Sequence, residues 1–323
     1  MTFLLGLLVV FDLITIELLV VITLVTGLAD GLWTPTRLAI VPNLVPKSDM
    51  SSAIAFEATS FHTSQFVGPA IAGLIIAKLG VGFAFFANSI LLAGVVVAFF
   101  FIKIIAIDRN GLRPSFIVQM KGAANYIKEQ RGILVLLVFL FLSATCLRPY
   151  REFFAGFSDD IFARGAEGLS ILASASGLGA VIAAIGVASF GRTLGFLRVV
   201  IISSALAFIF MLVFALSPTF IVAAIGSFGL GMTLTSLGIS AQILLQYSVD
   251  DSMRGRVMSF WGLQVRAVPA IGGFIIGTAA TAVSIRVALT AFAIVFALAA
   301  ISYMRGNLIH IKRVEAALSQ VNT

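Results

Sequence analysis

Asp30, His62 and Arg266 carry charge or a titratable proton, yet each falls inside a long apolar run of this chain. Counting about 1.5 Å per residue from the inner ends of the helices that such runs imply, all three come out roughly 18 to 20 Å deep, at one common level. A charge surrounded by hydrocarbon costs several kcal/mol unless it faces a wet cavity or a partner. The chemistry to expect is therefore proton transfer or the gripping of a polar solute. His62 suits a proton relay because an unperturbed imidazole titrates near pH 6.5. A second reading stays open: Asp30 with His62, or with Glu57 one turn further in, forms a fixed hydrogen-bonded pair that braces neighbouring helices. Arg266 is equally readable as a helix-interface residue. Gln65 and Gln246, together with Ser64, Thr233, Thr235 and Gln242, add hydrogen-bonding capacity, although side chains of this kind in membranes mostly bond to helix backbone.

Other chemistries are poorly supplied. The single cysteine, Cys146, allows no intrachain disulfide, and His62 and His310 lie far apart in sequence, so no metal site is expected. There is no Gly-x-x-x-x-Gly-Lys phosphate loop, no His-Glu-x-x-His and no Gly-x-Ser-x-Gly. The chain is read as a non-enzyme without a cofactor, drawing its energy from an ion gradient; an intramembrane enzyme with Asp30 and His62 as acid and base is the remote alternative. The formal charge of +7 arises from basic residues spread over short loops, which argues against a nucleic-acid partner.

The elements that must position these residues are membrane spans. Hydrophobic residues make up 60% of the 323 positions, charged residues 11%, and the mean hydropathy is +1.12, far from a soluble domain, in which about a quarter of residues are charged. About 20 apolar residues cross a bilayer, and on that rule spans fall near 2 to 16, 18 to 42, 50 to 79, 82 to 103, 132 to 152, 166 to 190, 197 to 216, 219 to 246, 253 to 281 and 284 to 305, ten in all. With the N-terminus in the cytoplasm, fifteen basic residues fall on the inner side, while the outer side receives five: Lys78, Arg148, Arg151, Arg164 and Arg286. That bias puts both termini inside. Within the polar stretch from Asp108 to Arg131, Pro114-Ser115 can start a helix whose Phe116, Ile117, Met120, Ala124 and Ile127 share one face. It is read as lying along the inner membrane surface, with a simple basic linker as the alternative.

The signature Pro69-Ala70-Ile71-Ala72-Gly73-Leu74-Ile75-Ile76-Ala77 returns 200 residues later as Pro269-Ala270-Ile271-Gly272-Gly273-Phe274-Ile275-Ile276-Gly277. Two such copies inside apolar helices imply a transporter made of two similar halves, whose first half would begin roughly 70 residues before Met1. Gly27 with Gly31, and Gly273 with Gly277, are spaced for close helix approach. The expected organisation is an N-terminal bundle of four helices at 1–106, a cytoplasmic linker with an amphipathic helix at 107–131, a six-helix C-terminal bundle at 132–306 and a cytoplasmic tail at 307–323.

Pro35-Thr36-Arg37-Leu38-Ala39-Ile40-Val41-Pro42-Asn43-Leu44-Val45-Pro46, followed by Val67-Gly68-Pro69-Ala70-Ile71-Ala72-Gly73, resembles the fourth-to-fifth helix region of the major facilitator superfamily. More narrowly it is similar to the bacterial transmembrane secretion effectors, which include enterobactin exporters and macrolide efflux proteins. Leu245-Gln246 with Asp250-Asp251-Ser252-Met253-Arg254-Gly255-Arg256-Val257 resembles that family's segment between helices ten and eleven. Gly191-Arg192-Thr193-Leu194-Gly195 sits where a degenerate copy of its loop between helices two and three is expected.

The resemblance implies an all-α, polytopic, two-bundle fold, with this chain corresponding to family helices three to twelve. It implies proton-coupled efflux of small amphiphilic, drug-, macrolide- or siderophore-like molecules by alternating access, by a monomer in the bacterial inner membrane. Asp250, Asp251, Arg254 and Arg256, with Arg37 and Arg192, then become candidates for latching a cytoplasmic gate. The alternatives are ordinary stop signals for the helices and, for the chain as a whole, a shortened, transport-incompetent relative or a membrane scaffold.

Overall fold

A computed structural model describes residues 1–40, 60, 63–64, 67–68, 71–72, 75–76, 78–101 and 116–320; for 30–40, 116–119, 192, 251–252 and 308–320 the description is of backbone alone. Among the described residues all regular structure is helical. In hydrocarbon each N–H and C=O must be satisfied within its own segment, so long apolar runs wind into helices. Seven described stretches are long and apolar enough to cross a membrane: Val81–Phe100, Arg131–Ile161, Gly165–Gly191, Phe196–Ala215, Phe220–Ser248, Met253–Ala282 and Ile285–Asn307. The chain divides into two compact units, one from the N-terminus to Leu112 and one from Arg113 to Thr323, with residues 65–67 grouped with the second.

In the first unit α1 (Thr2–Val10) packs on α3 (Val81–Phe100), while α2 (Ile16–Ile40) follows α1 directly. The Phe3 and Phe86 rings lie 5.3 Å apart, and the Ser89 hydroxyl donates to Thr2 Oγ1 at 2.9 Å. The span expected over 2 to 16 is shorter than its apolar run. α1 stops at Val10 because Asp12 turns left-handed, with φ of 55°, while Leu13 N–H donates to Leu8 C=O and Asp12 N–H to Val9 C=O. Those are the paired bonds that close a helix end, and aspartate is one of the few side chains that tolerates the left-handed position. The described surface of α3 is apolar, with Ile90, Leu91 and Phe100 more than 70% exposed, as befits a protein whose solvent is lipid.

The second unit holds α4 (Phe116–Glu129), α5 (Arg131–Cys146), α6 (Gly165–Leu194), α7 (Phe196–Ala215), α8 (Phe220–Ser248), α9 (Asp251–Ala282) and α10 (Ile285–Gln320). α8 packs along α6 and α7; α5 packs on α9 and α10. Expected to end near residue 152, α5 instead continues in altered winding, through a 3-10 turn at Arg148–Phe153 and a π turn at Phe157–Ile161. An aromatic knot covers this irregular backbone: Phe157 stacks on Phe214 at 4.3 Å, with Tyr150 and Phe154 edge-on around them.

Of the face expected for the amphipathic helix α4, Ile127 is buried, as is the neighbouring Ala123, and α5 and α9 pack on this helix. The first proline signature, around Pro69, falls largely outside the described residues. The second lies within α9, with Pro269 in its interior. Close approach comes from Gly272, where a Cβ would overlap the Thr145 carbonyl, whereas Gly277, and Gly27 of the first unit, have open space beside them.

Candidate functional site

α5, α8 and α9 meet around a guanidinium. Arg148, half-buried, lies beside Gly238 of α8, where an added Cβ would stand 2.8 Å from Nη2. Leu140, Ser143, Ala144, Trp261 and Gln264 line the same cleft, whose free volume is about 10 Å³. That is the size of a single water or one small polar group. The cleft sits well inside the spans: Gln264 is roughly 20 Å along α9 from Asp251, and Gly238 roughly 15 Å from the Ser248 end of α8.

The local sequence explains how an arginine comes to be here. Pro149 has no N–H, so the Thr145 carbonyl lacks its donor four residues on and the helix gives way to a 3-10 turn at Arg148. Gly272, the fourth residue of the second signature, has no side chain and lets the α9 backbone close over that carbonyl. The repeat signature therefore seats the break that presents Arg148.

Polar atoms of the cleft are incompletely used. The Gln264 Nε2 donates to the Leu137 carbonyl of α5 at 3.0 Å, leaving Oε1 buried and without a hydrogen-bond partner among the described residues. The hydroxyl of Ser143, itself 1% exposed, is in the same condition. Next to Arg148 in the chain, the Tyr150 hydroxyl lies 2.6 Å from Ser176 Oγ and accepts from Arg151 Nε at 3.2 Å; that pair is buried and satisfied. Arg148 itself makes no hydrogen bond or ion pair to the described residues, and its charged neighbour is the like-charged Arg151.

The residues singled out from sequence are only partly brought into view. Glu57, His62 and Gln65 lie outside the described residues, and for Asp30, Arg37, Arg192 and Asp251 only backbone is described. Arg266 is exposed on α9, two residues from Gln264 and so on another face. Gln246 is engaged through its backbone: its carbonyl accepts from Arg254 Nε at 2.9 Å, and the Val249 carbonyl accepts from Nη2 at 3.5 Å. A guanidinium on the last carbonyls of α8 is a helix C-terminal cap with favourable charge for the helix dipole. Arg256 Nη1 reaches Met253 Sδ at 3.5 Å. Asp250 precedes α9, and its N–H donates to the Tyr126 hydroxyl of α4 at 3.2 Å; burial, with the Asp250 carboxylate adding, raises that phenol above its ordinary range. The structure gives the Asp250–Arg256 segment the role of a joint tying α4, α8 and α9.

Arg148 is the residue that sequence reading missed. Counting basic residues by loop assigns it to the outer side. The available signal was its position in an apolar run directly before Pro149, preceded by Ser143 and followed by Tyr150 and Phe154, residues that bury.

Comparison with known proteins supplies the family. A model of the transmembrane secretion effector family matches residues 1–322. The chain is 23% identical over 259 residues to the staphyloferrin A transporter of Staphylococcus aureus (77% of this chain, 62% of that protein). It is 23% identical over 267 residues to macrolide efflux protein A of Streptococcus pyogenes (79% and 64%). To the multidrug resistance protein MdtG of Yersinia enterocolitica it is 26% identical over 268 residues (79% and 62%). The chain thus spans less than two thirds of the length of these relatives. With apolar membrane-length helices in both units and a family match along essentially its whole length, this multi-pass membrane chain belongs to the transmembrane secretion effectors, a transporter family of the major facilitator superfamily.

Proposed function

We propose that this chain is a secondary active exporter of small amphiphilic molecules, resident as a monomer in the bacterial inner membrane with both termini in the cytoplasm, and coupled to inward proton flow by Asp30 and His62. The observation that carries the reading is the family match over residues 1–322. The relatives are named for drug, macrolide and siderophore transport. The absence of a phosphate-binding loop from the sequence leaves an ion gradient as the energy source. Transport then proceeds by alternating access, with the Arg254 cap and the Tyr126–Asp250 contact holding the inner ends of α4, α8 and α9 together during the motion.

The test is efflux of a fluorescent amphiphilic dye from proteoliposomes with an imposed pH gradient. Asp30→Asn and His62→Ala are expected to abolish gradient-driven flux while the protein still inserts and purifies normally. Equal rates in wild type and both variants would remove these residues from coupling; no flux in wild type for any amphiphile would remove transport.

A further inference from the structure

Resting on the transporter reading above, we infer that the Arg148 cleft is a binding site for the carboxylate end of an anionic amphiphile, one with a hydroxyl or amide N–H next to the carboxylate. Three groups converge there and none is fully used within the described residues. Arg148 offers a planar fork of N–H donors that matches a carboxylate in bidentate fashion. The Ser143 hydroxyl is buried with no partner and supplies one further donor to an anion oxygen. One N–H of the Gln264 amide goes to the Leu137 carbonyl, while its oxygen is buried without a partner among the described residues, and an amide oxygen only accepts. Two donor groups and one acceptor thus specify an anion with an adjacent donor, not a bare anion.

Charge and size point the same way. A guanidinium in an apolar bundle is tolerated when it faces a cavity or a counter-charge, and Arg148 lines a cleft that an anion could enter. The free volume of about 10 Å³ is that of a single water, so the cleft takes a carboxylate oxygen, with the adjacent donor at its edge and the apolar remainder outside it. Trp261 lines the cleft and reports its occupancy.

The experiment uses the full chain, purified in a non-ionic detergent with Trp33→Phe so that Trp261 is its one indole. Three probes share a dodecyl chain: N-dodecanoylglycine, its neutral methylamide and dodecyltrimethylammonium. N-dodecanoylglycine is expected to change Trp261 emission saturably, binding at least about tenfold tighter than either of the others, the range of one charge-assisted hydrogen bond. Arg148→Gln should erase that preference without weakening the methylamide, and Arg148→Lys should restore part of it. If Arg148→Gln does not fold, Gly238→Ala, which crowds Nη2, should reduce the preference instead. Equal binding of the three probes, or an anion preference that survives these variants, overturns the site. Dye efflux measured on the same preparations separates the two readings: flux without anion preference sinks only the site, and Arg148-dependent binding without flux of any probe sinks only transport.

Discussion

One stripe of α8 meets two kinds of neighbour. Toward the Phe220 end, the Ser227 hydroxyl donates to the Leu172 carbonyl of α6 at 2.7 Å, and the α8 backbone at Gly231 rests on the Ser176 carbonyl so closely that a Cβ would overlap it. Seven residues further on, and so on the same face, Gly238 borders the Arg148 guanidinium and a small void. A glycine admits backbone in the first place and a charged side chain in the second. The first level is closely packed and hydrogen-bonded across the seam. The second keeps buried polar atoms without partners, which folding alone would not favour, and so it has the marks of a place where something else binds or moves.

The contrast can be broken most forcefully at its rigid end. Gly231→Val should cost about 3 kcal/mol or more, because its clash is with backbone that cannot yield; a monodisperse variant in detergent with wild-type melting behaviour would show that the seam is looser than described. Ser227→Ala removes a hydrogen bond across the same seam and should lower stability by about 1 kcal/mol, read as a drop in thermal midpoint. At the other level the signs change. Gly238→Ala pushes against the movable end of a side chain, so stability should stay within about 1 kcal/mol of wild type while N-dodecanoylglycine binding by Trp261 fluorescence weakens. Ser143→Ala is the mildest: removing a buried hydroxyl without a partner should leave stability unchanged or raise it, by about 1 kcal/mol or less. A loss at Ser143 as large as that at Ser227 would erase the distinction between the two levels.

The apolar runs made most of the fold legible, because a membrane leaves the chain little choice but helix wherever some twenty apolar residues follow one another. Where local backbone chemistry intervened, the runs misled. Asp12 ends α1 early by turning left-handed, and Pro149 changes the winding of α5 without ending it, since Tyr150, Phe154 and Phe157 pack the irregular stretch against Phe214. In α4, periodicity placed Ile127 on the apolar face, where it is buried, but it carried no information on the packing of α5 and α9 against this helix. The inner-mouth segment was legible as a cluster of charges, and its connections came from geometry, with Arg254 reaching back to the carbonyls of Gln246 and Val249. Arg148 was hidden for a related reason: the inside bias of basic residues is a statistic of loops, and it is silent about an arginine that a broken helix turns back into its bundle.

The altered winding after Leu147 also bears on how this protein can change over generations. A six-residue 3-10 turn advances the chain faster than an α-helix and the five-residue π turn that follows slows it again, so Arg148 and the aromatic knot each face their targets only at the present residue count. Deleting or inserting one amino acid anywhere from Pro149 to Phe157 would rotate one of them away from its place. Length, more than side-chain identity, is what natural variation is least free to alter along this stretch.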